Sequence, residues 1–87
     1  MMKPTFKEKV LQVVAKIPRG KTMSYREVAW RAGNPGAARA VGNLMMRNHD
    51  PKVPCHRVIR SDGKVGGYNG GGPEKKLALL RAEGAIL

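Results

Sequence analysis

A mainly α-helical domain with a small β-hairpin, a winged helix-turn-helix, is the fold class this sequence predicts. Three observations predict it. Thr5 with Glu8 and Ser24 with Glu27 are two capping-box patterns, each opening an apolar-periodic run. The second and third helices meet at Gly33-Asn34-Pro35, which leaves room only for a tight turn. Farther on, Asp62-Gly63 stands between two short runs of strand formers. The 87 residues make a single domain, 1–87, near the small end of what folds alone.

The first helix starts after Thr5 as N-cap, with Phe6, Val10, Val13, Val14 and Ile17 recurring at helical spacing. Pro18 and Gly20 stop it near Lys16. The next turn, "RGKTM", is basic and exposed. Ser24 caps a second helix over Tyr25 to Ala32, which carries Val28 and Ala29 inward, and Gly33 closes it. Asn34 is then an N-cap and Pro35 a first helical residue. The third helix reads "PGAARAVGNLMMR", with Ala37, Ala40, Val41, Leu44 and Met45 on its apolar side. "NHDPKVP" is loop, and "RVIRSDGKVGG" gives the two strands of the hairpin. Glycines 66, 67, 70, 71 and 72 make a flexible or closely approached loop. Pro73 begins the last helix, with Leu77, Leu79 and Leu80, and Gly84 ends it.

Lys and Arg number 17 against 6 Asp and Glu, a formal charge of +11 spread along the chain. A folded basic domain of this kind points to nucleic acid, because counterion release from phosphates drives such binding. One cysteine cannot form an internal disulfide. With His49 and His56 it also falls short of the four ligands of a structural zinc site. No metal and no cofactor are expected. The first residues, "MMKPTFKEKV", lack the apolar run of a signal peptide, and no stretch approaches a membrane span. The expected setting is a reducing cytoplasm, nucleoid-associated in a bacterium, with no membrane partner.

The one thiol draws the most chemistry. A free cysteine is commonly a small buried apolar residue. Here Pro54 restricts the backbone before Cys55, polar His56 and Arg57 follow it, and the surrounding positive charge favours a thiolate. Adjacent side chains diverge, so a bridging water is the simplest link between Cys55 and His56. The imidazole would in turn use a carboxylate to hold its tautomer. Spacing alone leaves Glu83, Asp50 and Asp62 as candidates.

"PCHRVI", with "SYREVA" and "GNPGAARAVGN" before it and "GYNGG" and "LLRAEG" after it, resembles the C-terminal domain of the O6-alkylguanine-DNA alkyltransferases, the methylated-DNA–protein-cysteine methyltransferases. The likeness runs from about Phe6 to Gly84. It implies direct DNA repair by single-turnover transfer of an alkyl group, usually methyl, from O6 of a flipped guanine in duplex DNA. Cys55 is the implied acceptor. His56 relays its proton through water, Glu83 orients the histidine, and Asn48 braces the turn. Tyr25 presses on the phosphate beside the target and protonates the departing guanine.

The resemblance also implies that Arg39 fills the gap left by the base, from a helix whose small residues Gly36, Ala37 and Ala38 allow close approach in the minor groove. Lys21, Thr22, Arg47, Arg60, Ser61 and Lys64 are phosphate-contact candidates. Met45, Val58, Tyr68, Asn69 and Gly70 fall at pocket-wall positions, and the backbone carbonyls of Cys55 and Val58 would accept the guanine amine. Met45 and Val58 serve equally well as plain core. Asn69 stands where some members have serine, which reads as tuning of the alkyl-group range. The implied partner is double-stranded DNA containing O6-alkylguanine, bound by a monomer.

Most alkyltransferases carry an N-terminal domain that the 87 residues are not expected to include, and the expectation is that apolar surface is then left to cover. Trp30 stands where smaller residues are common. A repair-protein partner is therefore an open expectation. Two other functions compete. An alkyltransferase-like protein would mark the lesion without removing it, and Cys55 argues against that. A plain winged-helix DNA-binding protein would not require the "PCHRV" turn.

Overall fold

The computed structural model describes residues 3–86. It is mainly helical, with one two-stranded sheet. Its elements run α1 (Phe6–Ala15), β1 (Met23–Ser24), α2 (Tyr25–Arg31), α3 (Ala38–Arg47), a one-turn 3₁₀ helix (Cys55–Arg57), β2 (Val58–Ile59) and α4 (Gly72–Ala82). Among the described residues no helix is long and apolar enough to cross a membrane.

Both capping boxes form. The Thr5 hydroxyl accepts the Glu8 N–H at 3.1 Å and the Ser24 hydroxyl accepts the Glu27 N–H at 3.0 Å. Each satisfies a donor that a helix start otherwise leaves open. Val10 and Val14 of α1 and Ile17 just beyond it are buried against Val28 and Ala29 of α2, Ala32 at its C-cap, and Val41 and Met45 of α3. Cys55 and Val58 join the same cluster, so the core ends directly beneath the thiol.

The third helix starts later than the sequence predicts. Gly33 N–H bonds the Trp30 carbonyl and Asn34 N–H bonds the Ala29 carbonyl. This double closure is a Schellman motif. Asn34 therefore ends α2 rather than capping α3. Residues 34–37 form a turn, with Ala37 N–H on the Asn34 carbonyl at 3.1 Å, and α3 begins at Ala38 without a side-chain cap. Pro35 and Gly36 thus precede the helix, and Ala40 is exposed rather than on the apolar side.

The β-hairpin is also corrected. The turn at Asp62-Gly63 forms, closed by Arg60 N–H to the Lys64 carbonyl at 2.9 Å and by Lys64 N–H to the Asp62 carboxylate at 3.0 Å. No return strand follows, because Gly66 takes φ +75° and turns the chain aside. β2 instead pairs in parallel with β1, Met23 opposite Val58 and Ser24 opposite Ile59. The strand after the thiol is thereby fastened to the segment that leads into α2.

Candidate active site

The thiol sits at the start of a tight turn held at both ends. Cys55 N–H donates to the Val53 carbonyl at 2.8 Å and Arg57 N–H to the Pro54 carbonyl at 2.9 Å. The Cys55 carbonyl accepts the Val58 N–H, which leaves its second lone pair for another donor. Cys55 is 9% exposed. It lines a cavity of about 530 Å³ together with His56, Asn48, Tyr68, Asn69 and Gly70. Cys55 is therefore largely shielded from bulk water and borders a space that can admit a ligand.

Behind the thiol, Glu83 joins two cations' worth of donors. His56 Nε2 lies 3.0 Å from Glu83 Oε2. Arg57 donates to both carboxylate oxygens, at 2.9 and 2.8 Å, and to the Ile17 carbonyl at 2.9 Å. The Arg57 hydrogen bond outweighs burial and, with a smaller contribution from His56, holds the Glu83 carboxyl down to about 2. An ionised Glu83 keeps the imidazole proton on Nε2, so Nδ1 is free to accept one. The other two candidate acids are engaged elsewhere. Asp50 accepts the Lys52 N–H at 2.9 Å, and Asp62 pairs with Arg60 at 2.8 Å.

Asn48, at the end of α3, bridges the loop before the thiol. Its amide donates to the Val53 carbonyl at 3.3 Å and its oxygen accepts the Asp50 N–H at 3.4 Å. Tyr68 sets its ring edge-on to His56, with centroids 6.4 Å apart. That ring lies so close over Gly70 that a Cβ there would sit 2.7 Å from it, so a larger residue would require the Tyr68 ring to shift.

A second cavity, of about 690 Å³, opens beside α3. Tyr25, Ala38, Arg39, Ser61, Gly66 and Gly67 are among its lining residues. Arg39 is exposed there. Tyr25, at the first position of α2, is half-buried, and burial raises its phenol above the ordinary range. Arg39 and Tyr25 line this cavity and Cys55 and His56 the other, while Cys55 also acts on the Tyr25 phenol, so the two groups adjoin.

Other candidates lie outside both groups. Met45 and Val58 are buried in the core and line neither cavity. Lys21 and Thr22 line a separate groove between α1 and α2 that also carries Trp30, which is 63% exposed. Gly36 and Ala37 form the turn before α3, and Arg47 is exposed at its last position. Among the described residues, nowhere do three histidine, cysteine or carboxylate side chains converge as metal ligands would.

Two residues stand out that the sequence expectation did not single out. Arg57 is the clamp on Glu83. Lys76 is buried, with its amine 3.1 Å from the Tyr25 hydroxyl, 3.3 Å from the Gly67 carbonyl and 5.3 Å from the Tyr25 ring centroid. Burial lowers the Lys76 ammonium to about 8, and Cys55 acts weakly in the opposite direction. The available signal was spacing. Lys76, Leu80 and Glu83 recur on one face of the last helix.

Residues 5–85 match the family model for the 6-O-methylguanine DNA methyltransferase DNA-binding domain. The methylated-DNA–protein-cysteine methyltransferase of Methanothermobacter thermautotrophicus is 53% identical over 83 residues, which cover 94% of this chain and 46% of that protein. The mouse protein of the same name is 50% identical over 82 residues, 92% of this chain and 39% of that one. The chain thus spans under half the length of these two relatives. Among solved structures, Mycobacterium tuberculosis OGT in complex with DNA superposes with a TM-score of 0.84 at 46% identity, covering 94% of this chain and 50% of that one. S. pombe Atl1 in complex with damaged DNA containing O6-carboxymethylguanine superposes with a TM-score of 0.78 at 36% identity, covering 97% and 80%.

Proposed function

This chain belongs to the 6-O-methylguanine DNA methyltransferase DNA-binding-domain family, and we propose that it repairs O6-alkylguanine in duplex DNA by moving the alkyl group to Cys55. The observation that carries this is the thiol itself. Cys55 opens onto a cavity next to a histidine whose outer nitrogen is fixed by an ionised glutamate. That arrangement suits a proton acceptor working on the thiol through one water.

The step balances as a displacement at carbon. The Cys55 sulfur forms a bond to the alkyl carbon while the bond from that carbon to guanine O6 breaks. The thiol proton passes through water to His56, the departing guanine takes a proton from the Tyr25 hydroxyl, and the imidazolium returns a proton through solvent to the tyrosinate, so that neither side chain is left charged. The products are an S-alkylcysteine and unmodified guanine. A thioether does not hydrolyse, so each molecule acts once. No cofactor enters this balance.

Arg39, Ala38, Tyr25 and Ser61 share the cavity beside α3, which supports that face as the one that meets DNA. Arg39 is the residue placed to fill the gap of an extruded base, and extrusion costs a few kcal/mol, least for a weakened pair. Lys21 and Thr22, in the groove between α1 and α2, and Arg47, at the end of α3, are the further phosphate contacts, and Asn48 braces the thiol turn. The protein acts as a monomer on double-stranded DNA in the cytoplasm or nucleoid.

The test is to mix the protein with a duplex carrying one O6-methylguanine and count nucleosides after digestion. The expected result is loss of the lesion, equal gain of guanine and a plateau at one lesion per protein. Lesion-selective binding with the lesion intact would mean a marker protein. Salt-sensitive binding indifferent to the lesion would mean a plain DNA-binding domain.

A further inference from the structure

The chain from Gly66 to Gly70 contributes to the lining of both cavities. Gly66 and Gly67 line the one beside Arg39, Tyr68, Asn69 and Gly70 line the one beside Cys55, and no residue lines both. This segment has little structure of its own. Residues 64–68 lie in neither helix nor strand, and three of the five residues from 66 to 70 are glycine. Ties to other elements hold it. At its start, Lys76 Nζ donates to the Gly67 carbonyl at 3.3 Å.

The stronger tie is at Asn69. Its Nδ2 lies 2.6 Å from the Asn48 carbonyl, 2.9 Å from the Met46 carbonyl and 3.4 Å from the Met45 carbonyl. All three partners are acceptors, so the NH₂ side of the amide must face them. They lie at the carboxyl end of α3, where a helix leaves its last carbonyls unpaired and carries partial negative charge. α3 has no glycine cap to satisfy them. Asn48 leaves the helix in an extended conformation at φ −79° and ψ 127°, and its own N–H returns only to the Met45 carbonyl, at 3.2 Å. Asn69 therefore caps α3 from a distant part of the chain. Its amide nitrogen is spent on the helix end, while the residue itself lines the thiol cavity.

Building on the alkyl-transfer function proposed above, we propose that Asn69 is a positioning residue that ties the wall of the thiol cavity to the carboxyl end of the helix carrying Arg39. Its work is to keep Tyr68 and Gly70 at a fixed distance from Cys55 when DNA engages α3. Asn69→Asp keeps the size of the side chain but turns a carboxylate toward three carbonyls. Asn69→Ser keeps one donor.

The experiment uses the full chain and two readouts. One is single-turnover methyl transfer from an O6-methylguanine duplex across a series of DNA concentrations. The other is amide hydrogen exchange over residues 66–72. For Asn69→Asp the maximal transfer rate should fall about ten-fold or more while the half-saturating DNA concentration stays within about two-fold. Exchange over 66–72 should rise while α1 stays protected, and Asn69→Ser should fall between. A wild-type maximal rate with wild-type loop exchange overturns the tie. If the Asp variant fails to fold, the Ser variant carries the same comparison. If the wild-type protein transfers no methyl, the proposed function fails, and loop exchange alone still decides the tie: raised in the variant supports it, unchanged overturns it.

Discussion

Arg57 grips Glu83 through both carboxylate oxygens, at 2.9 and 2.8 Å, while the same carboxylate lies 3.0 Å from His56 Nε2. One acid thus serves two neighbours, and the arginine next to the histidine keeps it charged. The clamp also reaches the Ile17 carbonyl, so it fastens the end of α1 to the end of α4 beneath the thiol turn. Site and fold share this contact.

Glu83 should therefore mark the acid limb of stability. Its folded value of about 2 lies below the ordinary 4.5. The contribution is complete above 4.5 and disappears as pH falls through about 2, because the unfolded chain binds the proton more readily. The full shift corresponds to at most about 3 kcal/mol. Urea midpoints between these values should slope for the wild type and flatten for Glu83→Gln. The variant should also transfer methyl at least about ten-fold more slowly at neutral pH.

Lys76 should mark the alkaline limb with the opposite sign. Its folded value of about 8 lies below the ordinary 10.5. Burying the charged amine costs stability in full below 8, and that cost is relieved as pH rises toward 10.5. Wild-type stability from this group should climb with pH across that window. Lys76→Met should remove the climb in the same urea series.

Arg39 is exposed beside the α3 cavity and lies outside the thiol cavity. Arg39→Ala should slow repair of duplex DNA far more, by about ten-fold or more, than reaction with a free alkylated guanine base. Equal losses on the two substrates would remove Arg39 from base extrusion.

Gly70 faces the Tyr68 ring, where an added Cβ would sit 2.7 Å from it. Gly70→Ala should push Tyr68 off its edge-on contact with His56. Methyl transfer should slow with the global melting temperature changed little, since Gly70 is exposed and lies outside the core.

How much of this was legible depended on whether the cause was local. Thr5 with Glu8 and Ser24 with Glu27 are within one helical turn, so their caps could be read directly. Pro54 signalled a restricted backbone before Cys55, but the one-turn 3₁₀ helix there was not read from it. Asn34 misled because the same residue type starts one helix and ends another, and the Ala29 carbonyl decided between them. The parallel pairing of Met23 with Val58 joins two-residue strands that no periodicity reveals. Lys76 was passed over because a lysine on an amphipathic helix is ordinarily solvated, and only the tertiary fold brings Tyr25 and Gly67 over it. Among the acids, spacing left Glu83, Asp50 and Asp62 level. The geometry puts Glu83 on the imidazole because α4 ends there.

The most direct measurement is the mass of the Cys55 peptide after the protein has met one equivalent of an O6-methylguanine duplex. A gain of a single methyl group on Cys55, matched by restored guanine and absent in Cys55→Ser, is the result expected. An unmodified Cys55 beside an intact lesion, or a methyl group found on another residue, would contradict the assignment of this sulfur as the acceptor.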